Sequence, residues 1–443
     1  MTSPIRLLDL RATDFDLREV NSLVPRAAID VSAAMESVAP LLEDVKQRGA
    51  AAVTDVTIAR DGVDPSPLRV SQAEIEQAVA ALDLELRRAI EVSIARVRKV
   101  SQANLPKSTS VELSAGAKVH QRWQPVDSVG LYVPGGKAVY PSSVIMNVVP
   151  AQVAQVPRLV IASPAQKDFG GRPHPTVLAT AGLLGVSEIY SMGGPAAVAA
   201  FAYGMSGQGA TSDMEPVTMV TGPGNIYVTA AKRALRGRIG IDAEAGTTEI
   251  LVIADSTADP RLIAYDLVSQ AEHDEAAASV LVTDDESLAK AVIDALPAVV
   301  AATRHSARVA TALAGQQSAI VLVSSQAQAV AFSNAYGTEH LEIHTDNPQA
   351  TAKQISNAGA IFLGAYSPVS LGDYLAGSSH VLPTGGAALY SSGLGVHSFL
   401  RAQQLIDYSE AALAEVASQI ANFSNAEGLP AHGEAVSARF DTK

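Results

Sequence analysis

Up to about residue 125, apolar residues recur at intervals of three and four, with charged residues between them. This spacing places apolar side chains on one face of a helix, so the pattern predicts a mainly helical region. Gly49, Gly62 and Pro106 interrupt the pattern and indicate helix ends. After about residue 385 the chain is again predicted to be helical and ends in a turn-rich segment, which indicates a small appended arm.

Between these regions, short β-branched and apolar runs alternate with helical segments. The predicted strands lie at 127–133, 158–163, 187–192 and 217–221 in a first array, and at 249–255, 279–284, 318–324, 339–345 and 360–366 in a second. Strands that alternate with helices favour a parallel sheet covered by helices. We therefore predict an α/β fold with two tandem incomplete Rossmann-like parallel-sheet domains and small helical N- and C-terminal extensions.

Composition narrows the functional classes. The chain has 443 residues, 48% of them hydrophobic, which is enough for more than one domain. Its formal net charge of −13 argues against binding to nucleic acids or anionic membranes, because both require clustered positive charge. The absence of cysteine excludes disulfides, cysteine-ligated zinc and a thiolate nucleophile. No segment has the apolar core of a signal peptide or the length of a membrane span, so we expect a cytoplasmic protein.

Three predicted strands of the first array run into glycine-containing turns, at 132–143, 192–200 and 221–235. Ligands of parallel sheets bind at the carboxyl ends of strands, and glycine backbone at a helix start suits a phosphate. A dinucleotide site is therefore possible here. The alternative is that these are ordinary turns, since neither GxGxxG nor GxxxxGK[ST] occurs in the chain.

The stretch SQAEHDEAAAS, residues 269–279, places a histidine among three carboxylates. A helix is predicted to start at Asp259 as N-cap, with Pro260 in its first turn. Gln270 and His273 are then three residues apart and project on one side of its C-terminal portion, where they could chelate a cation. A solvated surface turn has the same composition, so both interpretations stay open for this stretch alone.

Glu339 and His340 lie side by side at the start of a predicted strand, directly after Gly337. An acid and an imidazole at such a boundary can supply a base and activate water. The alternative is a salt-bridged edge strand.

Two further segments contain candidate residues. Asp373 and His380 lie in a Gly- and Ser-rich loop after the last predicted strand, and such loops commonly carry function. Glu427 and His432 lie near the end of the chain, where a terminal helix and turn would explain them equally well.

Taken together, the segments resemble the histidinol dehydrogenase family over nearly the whole chain. The motifs that carry the resemblance occur in the family's order: GLYVPGG, GPGN, AEAG, QAEHD, EHLEI, SLGDY, HVLPT and LPAHGEA. The resemblance implies a zinc-dependent enzyme that oxidises L-histidinol to L-histidine in two steps with two NAD+, the last steps of histidine biosynthesis.

The resemblance also implies the site. The zinc ligands, for one Zn2+ per subunit, would be Gln270, His273, Asp373 and His432. The last histidine would reach the metal of the partner subunit in a homodimer with a domain-swapped C-terminal arm. His340 would take the hydroxyl proton and Glu339 would activate water for the aldehyde stage. The implied substrate contacts are Thr248, Gln270, His273, His340, Asp373, His380, Glu427 and His432.

For NAD, the resemblance points to Tyr132 and Asn225. Ala196 stands where the family usually has a glutamine that contacts NAD, Thr247 where it usually has proline, and Thr248 where it usually has serine.

Without cysteine, the simplest nucleophile for the aldehyde is water, so a hydrated aldehyde is the consistent intermediate.

The implied organisation has four parts. They are an N-terminal helical extension (1–25), a first Rossmann-like domain with the metal and catalytic residues (26–129 plus 248–385), a second with the NAD-binding loops (130–247), and a C-terminal helical arm that serves the partner's site (386–443). The alternatives are a related amino-alcohol dehydrogenase and a non-catalytic metal-binding protein on the same scaffold. His, Asp and Gln ligands also accept manganese or cobalt, so the sequence leaves the native metal open.

Overall fold

The structure is a computed structural model that describes residues 4–12, 17–27, 31–135, 139–206, 213–244 and 246–440. The strands are β1 (Arg6–Asp9), β2 (Thr109–Ser114), β3 (Ala117–Pro125), β4 (Ser128–Tyr132), β5 (Arg158–Ser163), β6 (Ile189–Ser191), β7 (Met219–Thr221), β8 (Gly240–Ile241), β9 (Glu249–Ala254), β10 (Ala278–Thr283), β11 (Ala319–Leu322), β12 (Thr338–His344), β13 (Ala358–Leu363) and β14 (Leu400–Tyr408).

The α-helices surround these strands. They are α1 (Val20–Leu23), α2 (Val31–Arg48), α3 (Ala50–Asp61), α4 (Gln72–Ala80), α5 (Leu84–Ala103), α6 (Pro141–Val153), α7 (Pro175–Leu183), α8 (Gly194–Tyr203), α9 (Ile226–Leu235), α10 (Pro260–Ala271), α11 (Glu286–Ala302), α12 (Ser306–Ala314), α13 (Gln326–Tyr336), α14 (Pro348–Ala352), α15 (Val369–Tyr374), α16 (Glu410–Ala426) and α17 (Pro430–Ser437).

Two parallel sheets with the same strand order form the body of the protein. The five-stranded sheet has the order β6-β5-β4-β7-β8, and the six-stranded sheet has the order β1-β11-β10-β9-β12-β13. Apart from the added edge strand β1, each order is 3-2-1-4-5 in chain sequence, the order of the first five strands of a Rossmann fold. The predicted α/β fold with two tandem, incomplete Rossmann-like sheets is confirmed.

The central strands read as continuous apolar runs because helices cover both faces of each sheet. All six residues of β9 and all six residues of β10 are buried. Separate groups of buried side chains lie on the two faces of the six-stranded sheet, one beneath α10 and α11 and the other beneath α13. This packing fixes the position of β12, whose seven residues are all buried.

A third, antiparallel sheet differs from the helical prediction for its residues. Its order is β14-β3-β2, and β14 pairs with β3 from Leu400↔Pro125 to Tyr408↔Ala117. Five of the six residues of β2 and seven of the nine residues of β14 are exposed, so neither strand has one buried face, which is the arrangement that period-two patterning predicts. The strand β1 was likewise missed in a region predicted to be helical.

The two helices of the C-terminal arm, α16 and α17, have few buried residues. Only Ala412 and Ser424 of α16 and Gly433 of α17 are buried. Phe423 is 72% exposed, although it is a large apolar side chain. Across the parts of the chain that the structure describes, none of the helices has the length and apolar character needed to cross a lipid bilayer.

Candidate functional site

The predicted acid and imidazole lie at the amino end of β12, inside the six-stranded sheet. Gly337 ends α13 with a φ of +59°, and its N–H donates to the Ser333 carbonyl at 2.9 Å. Glu339 and His340 follow as the second and third residues of β12 and are 6% and 4% exposed. Because β12 pairs with both β9 and β13, the alternative of a salt-bridged edge strand is wrong.

The start of β9 positions both side chains. The Thr248 hydroxyl donates to Glu339 Oε2 at 2.6 Å, and the backbone N–H of Glu249 donates to the same oxygen at 2.9 Å. The carbonyl of Glu249 lies 3.1 Å from His340 Nδ1. A carbonyl only accepts, so Nδ1 carries the proton and Nε2 keeps its lone pair. His340 is therefore oriented as a proton acceptor.

The end of α10 brings Gln270 to the same place. As predicted, Asp259 caps the helix through a hydrogen bond from the Arg261 N–H at 2.8 Å, and Pro260 begins it. Gln270 lies in the last turn, 2% exposed, and its amide nitrogen donates to Thr248 Oγ1 at 2.6 Å. Its Oε1 is buried and accepts no hydrogen bond from any described residue. An orphaned buried oxygen of this kind is a candidate metal ligand.

His273 lies just beyond the helix, not on its C-terminal portion as predicted. The helix ends at Ala271, and the His273 N–H donates to the Gln270 carbonyl at 3.3 Å in the turn that follows. The carbonyl end of a helix has partial negative charge, which stabilises a nearby cation. The turn therefore suits a positive ion.

Asp373 and His380 approach from the segment after β13. Asp373 lies in the short helix α15 and not in a loop as predicted, whereas His380 follows in irregular chain. His380 Nδ1 lies 3.1 Å from the Asp373 carbonyl, and His380 Nε2 lies 3.4 Å from the Ser143 hydroxyl at the start of α6. The contact with Ser143 joins this site to the five-stranded sheet.

The pKa values of these groups follow from burial and from Asp373. Burial raises the pKa of Glu339 well above its usual value, and the hydrogen bonds from Thr248 and Glu249 oppose this shift. Burial lowers the pKa of His340, and the negative charge of Asp373 opposes the change. The pKa values of the two other imidazoles shift in the same direction for the same reasons, those of His273 and His380. All three imidazoles are therefore held neutral, with lone pairs available.

The structure does not bring Glu427 and His432 to this group. Both side chains are exposed, Glu427 at the end of α16 and His432 in α17. Within the described ranges, no hydrogen bond or ion pair connects either side chain to the residues around Glu339. The single chain therefore assembles Thr248, Gln270, His273, Glu339, His340, Asp373 and His380, but not the two residues of the arm.

The predicted NAD residues line a cavity of about 560 Å3 at the other sheet. Tyr132 ends β4, and Asn225 caps α9 just after β7 by accepting from the Tyr227 and Val228 N–H groups. Ala196, in α8, also lines the cavity. The chain order reverses between β4 and β7, which is where open α/β sheets bind ligands. Residues 136–138 of the predicted loop 132–143, and Ala245 of the AEAG motif, lie outside the described residues.

The motifs in the sequence did not identify Glu249 and Arg26, which form an ion pair next to Glu339 and His340. Arg26 Nε donates to Glu249 Oε2 at 2.6 Å, and its guanidinium lies 3.9 Å from the centre of the Tyr336 ring. Burial raises the pKa of Glu249, and the positive charge of Arg26 opposes the shift. The two residues are 223 positions apart, so no local motif could have identified the pair.

A second group with metal-ligand chemistry lies at the other end of β12. Asp266, Glu342 and His344 place one ligand atom each within 4.8 Å of the others. His344 Nε2 is 3.3 Å from Glu342 Oε2 and 3.9 Å from Asp266 Oδ2. Glu342 Oε1 already accepts from the Val369 N–H at 2.8 Å. Burial and the charge of Glu342 raise the pKa of Asp266 to about 8, which favours a proton shared between the two carboxyl groups.

Comparison with known proteins identifies the family. A model of the histidinol dehydrogenase family matches residues 24–440. The chain is 55% identical to a histidinol dehydrogenase from Leifsonia xyli subsp. xyli over 439 residues, 99% of this chain and 100% of the relative. It is 51% identical to one from Mycobacterium bovis over 444 residues, 100% of both chains. The crystal structure of histidinol dehydrogenase from Elizabethkingia anophelis superposes with a TM-score of 0.91 at 31% identity, covering 99% of each chain. This chain therefore belongs to the histidinol dehydrogenase family and is an oxidoreductase.

Proposed function

We propose that this protein oxidises L-histidinol to L-histidine in two NAD-linked steps at a zinc site between α10, β12 and α15. The observation that carries the proposal is the buried Oε1 of Gln270, which has no hydrogen-bond partner among the described residues and lies beside the Glu339–His340 pair. An amide oxygen without a partner, an imidazole and a carboxylate make a suitable donor set for Zn2+. Membership of the histidinol dehydrogenase family supplies the substrate and reaction.

In this proposal Gln270, His273 and Asp373 hold the metal from one chain. When bound, Zn2+ would fix the amino alcohol in place and stabilise negative charge on its oxygen. Gln270 is held in place by its bond to Thr248, and Asp373 lies near the end of the short helix α15. His432 would complete the set from a partner subunit.

The chain's own residues then move the protons. His340 Nε2 has the lone pair, so it takes the hydroxyl proton as the hydride leaves the carbinol carbon for the nicotinamide ring. At the aldehyde stage Glu339 takes a proton from water, which adds to the carbonyl carbon to give a hydrate that loses the second hydride. Hydrogen bonds from Thr248 and Glu249 favour the carboxylate form of Glu339, which this role requires.

The cavity at the five-stranded sheet is the proposed NAD site, with Tyr132, Asn225 and Ala196 on its walls. The Ala196 side chain forms no hydrogen bond, so we expect Ala196→Gln to lower the Michaelis constant for NAD by roughly 2- to 10-fold, the contribution of one hydrogen bond. NAD titration at saturating L-histidinol measures it. An unchanged Michaelis constant would show that alanine at this position costs nothing.

We also propose that the protein is a homodimer in which the arm reaches the partner's site. Support comes from the exposure of Glu427 and His432 and from the apolar side chains that the arm leaves uncovered, Ile406 at 73% and Phe423 at 72%. Large exposed apolar side chains in one segment are typical of an interface.

We also retain as proposals the four-part division of the chain at residues 25, 129, 247 and 385. The remaining proposed substrate contacts are Thr248, His380 and Glu427.

The test is NADH formation from L-histidinol by the purified protein. We expect two NADH per L-histidine, loss of activity after treatment with a chelator, and recovery on addition of Zn2+. A protein that oxidises a different amino alcohol but not L-histidinol would support the alternative of a related dehydrogenase. A protein that binds zinc but forms no NADH with either substrate would indicate a non-catalytic function.

A further inference from the structure

Thr248 connects a proposed metal ligand to a proposed base. The amide nitrogen of Gln270 donates to Thr248 Oγ1 at 2.6 Å, and the Thr248 hydroxyl donates to Glu339 Oε2 at 2.6 Å. A hydroxyl has a single proton, so donation to Glu339 leaves only lone pairs for Gln270. A lone pair attracts the amide nitrogen of Gln270 and repels its oxygen. The direction of the bonds is therefore amide to hydroxyl to carboxylate.

We propose that Thr248 is a positioning residue that selects the orientation of the Gln270 amide and so keeps Gln270 Oε1 available to a divalent cation. This inference rests on the function proposed above. Rotation of the amide by 180° would exchange its oxygen and nitrogen, and only the oxygen has lone pairs that can bind a cation. This selection explains why the buried Oε1 of Gln270 accepts no hydrogen bond within the part of the chain that the structure describes.

Glu339 fixes the direction of the whole chain of bonds. Glu339 Oε2 also accepts the Glu249 N–H, so this oxygen acts as an acceptor and the proton between it and Thr248 stays on the Thr248 hydroxyl. The Glu249 N–H donates to the same oxygen at 2.9 Å and keeps it in place. Gln270 and Glu339 are 2% and 6% exposed, so both hydrogen bonds of the Thr248 side chain are formed with buried partners. The base and the metal ligand are thus oriented by a single hydroxyl.

The experiment measures zinc affinity and not turnover. Thr248→Val keeps the shape of the side chain and removes the hydroxyl, whereas Thr248→Ser keeps the hydroxyl. Thr247→Val is the matched control, because it makes the same change one residue away. Zinc affinity is measured for the purified full chain by competition with a chromophoric chelator, and thermal unfolding without metal verifies that each variant folds.

We expect Thr248→Val to weaken zinc binding by about 10- to 100-fold, the range for loss of a residue that orients a metal ligand. Thr248→Ser and Thr247→Val should bind as the unchanged protein does. If Thr248→Val fails to fold, Thr248→Ala carries the same expectation. Zinc affinity equal to that of the unchanged protein in a folded variant without the hydroxyl would overturn the inference.

Gln270→Glu separates orientation from a general structural role. A carboxylate presents an oxygen whichever way it turns, so Thr248→Val should cost much less zinc affinity in the Gln270→Glu background. An equal loss in both backgrounds would overturn the inference. If the unchanged protein fails to bind zinc, the proposed function itself is wrong, and this result is distinct from every result with the variants.

Discussion

Groups of similar residues lie at the two ends of β12, and they differ in whether their polar atoms have hydrogen-bond partners. At the amino end, Glu339 and His340 meet Gln270 of α10, and Gln270 Oε1 is left without a partner among the described residues. At the carboxyl end, Glu342 and His344 meet Asp266 of the same helix. There Glu342 is bonded to the Val369 N–H as well as to His344. Residue types alone would also allow the second group to be a metal site, since it has two carboxylates and an imidazole.

We infer from this difference that a buried oxygen without a hydrogen-bond partner among the described residues indicates a ligand site better than the type of its residue does. In the carboxyl-end group, Glu342 bonds to His344 and to the first turn of α15, and the raised pKa of Asp266 favours a proton between the two carboxyl groups. In the amino-end group, burial lowers the pKa of His340, and Gln270 Oε1 has no hydrogen-bond partner among the described residues. We therefore assign a positioning role to the carboxyl-end group and the chemistry to the amino-end group.

The largest difference between the two ends of β12 should appear when the histidine at each end is exchanged for glutamine. His340→Gln removes the proposed base, so kcat for L-histidinol oxidation should fall by roughly 10²- to 10⁴-fold. His344→Gln keeps a donor for Glu342 and removes none of the groups proposed to touch the substrate, so kcat should change by less than about threefold. Steady-state kinetics of both variants measures this. Similar losses in the two variants would contradict the division between the two ends.

Glutamine in place of each glutamate should give a smaller and more selective effect. Glu339→Gln removes the group that activates water, so part of the first oxidation should remain while the second falls by about 10²-fold or more. Glu342→Gln should leave the ratio of the two rates unchanged. The half-reactions are measured separately from L-histidinol and from histidinal. Equal loss of both half-reactions in Glu339→Gln would show that Glu339 does not act on water.

The smallest effect concerns stability and pH. The pKa of Asp266 is about 8 in the folded chain, against about 3.9 in an unfolded one, so the folded chain binds an extra proton between these values. The stabilisation is fully present below about pH 4 and is lost as the pH rises towards 8. Asp266→Asn should remove this contribution, so its free energy of unfolding should fall less between pH 5 and 8. Urea unfolding at several pH values measures the slopes, and equal slopes would refute the shared proton.

The sequence predicted the parts of the fold whose residues are buried on both sides. The run RLVIAS matches β5, Arg158–Ser163, because a strand covered on both faces has consecutive apolar residues, here the four between Arg158 and Ser163. The exposed strand β14 was missed, since its register depends on pairing with β3, which is almost 300 residues earlier in the chain. Periodicity within one segment contains no information about such a pairing.

Some features of the candidate site could likewise be predicted from the sequence, and others could not. Motifs identified Gln270, His273, Glu339, His340, Asp373 and His380, and the structure brings these residues together. Three features required the three-dimensional arrangement: the support from Arg26, the group at Asp266, and the position of the site at the amino ends of β9 and β12. Ligands of parallel sheets usually bind at the carboxyl ends of the strands, and the cavity beside β4 lies at such an end. The local sequence of a strand does not determine which of its ends is used.

The most direct measurement is the zinc content of two variants with opposite expectations, compared with the unchanged protein. Metal analysis after dialysis against limiting free Zn2+ should find about one zinc per chain in the unchanged protein. His273→Ala should lose the metal, while the double variant Asp266→Asn, His344→Gln should retain it. Retention by His273→Ala together with loss by the double variant would place the metal at the carboxyl end of β12 and contradict the account.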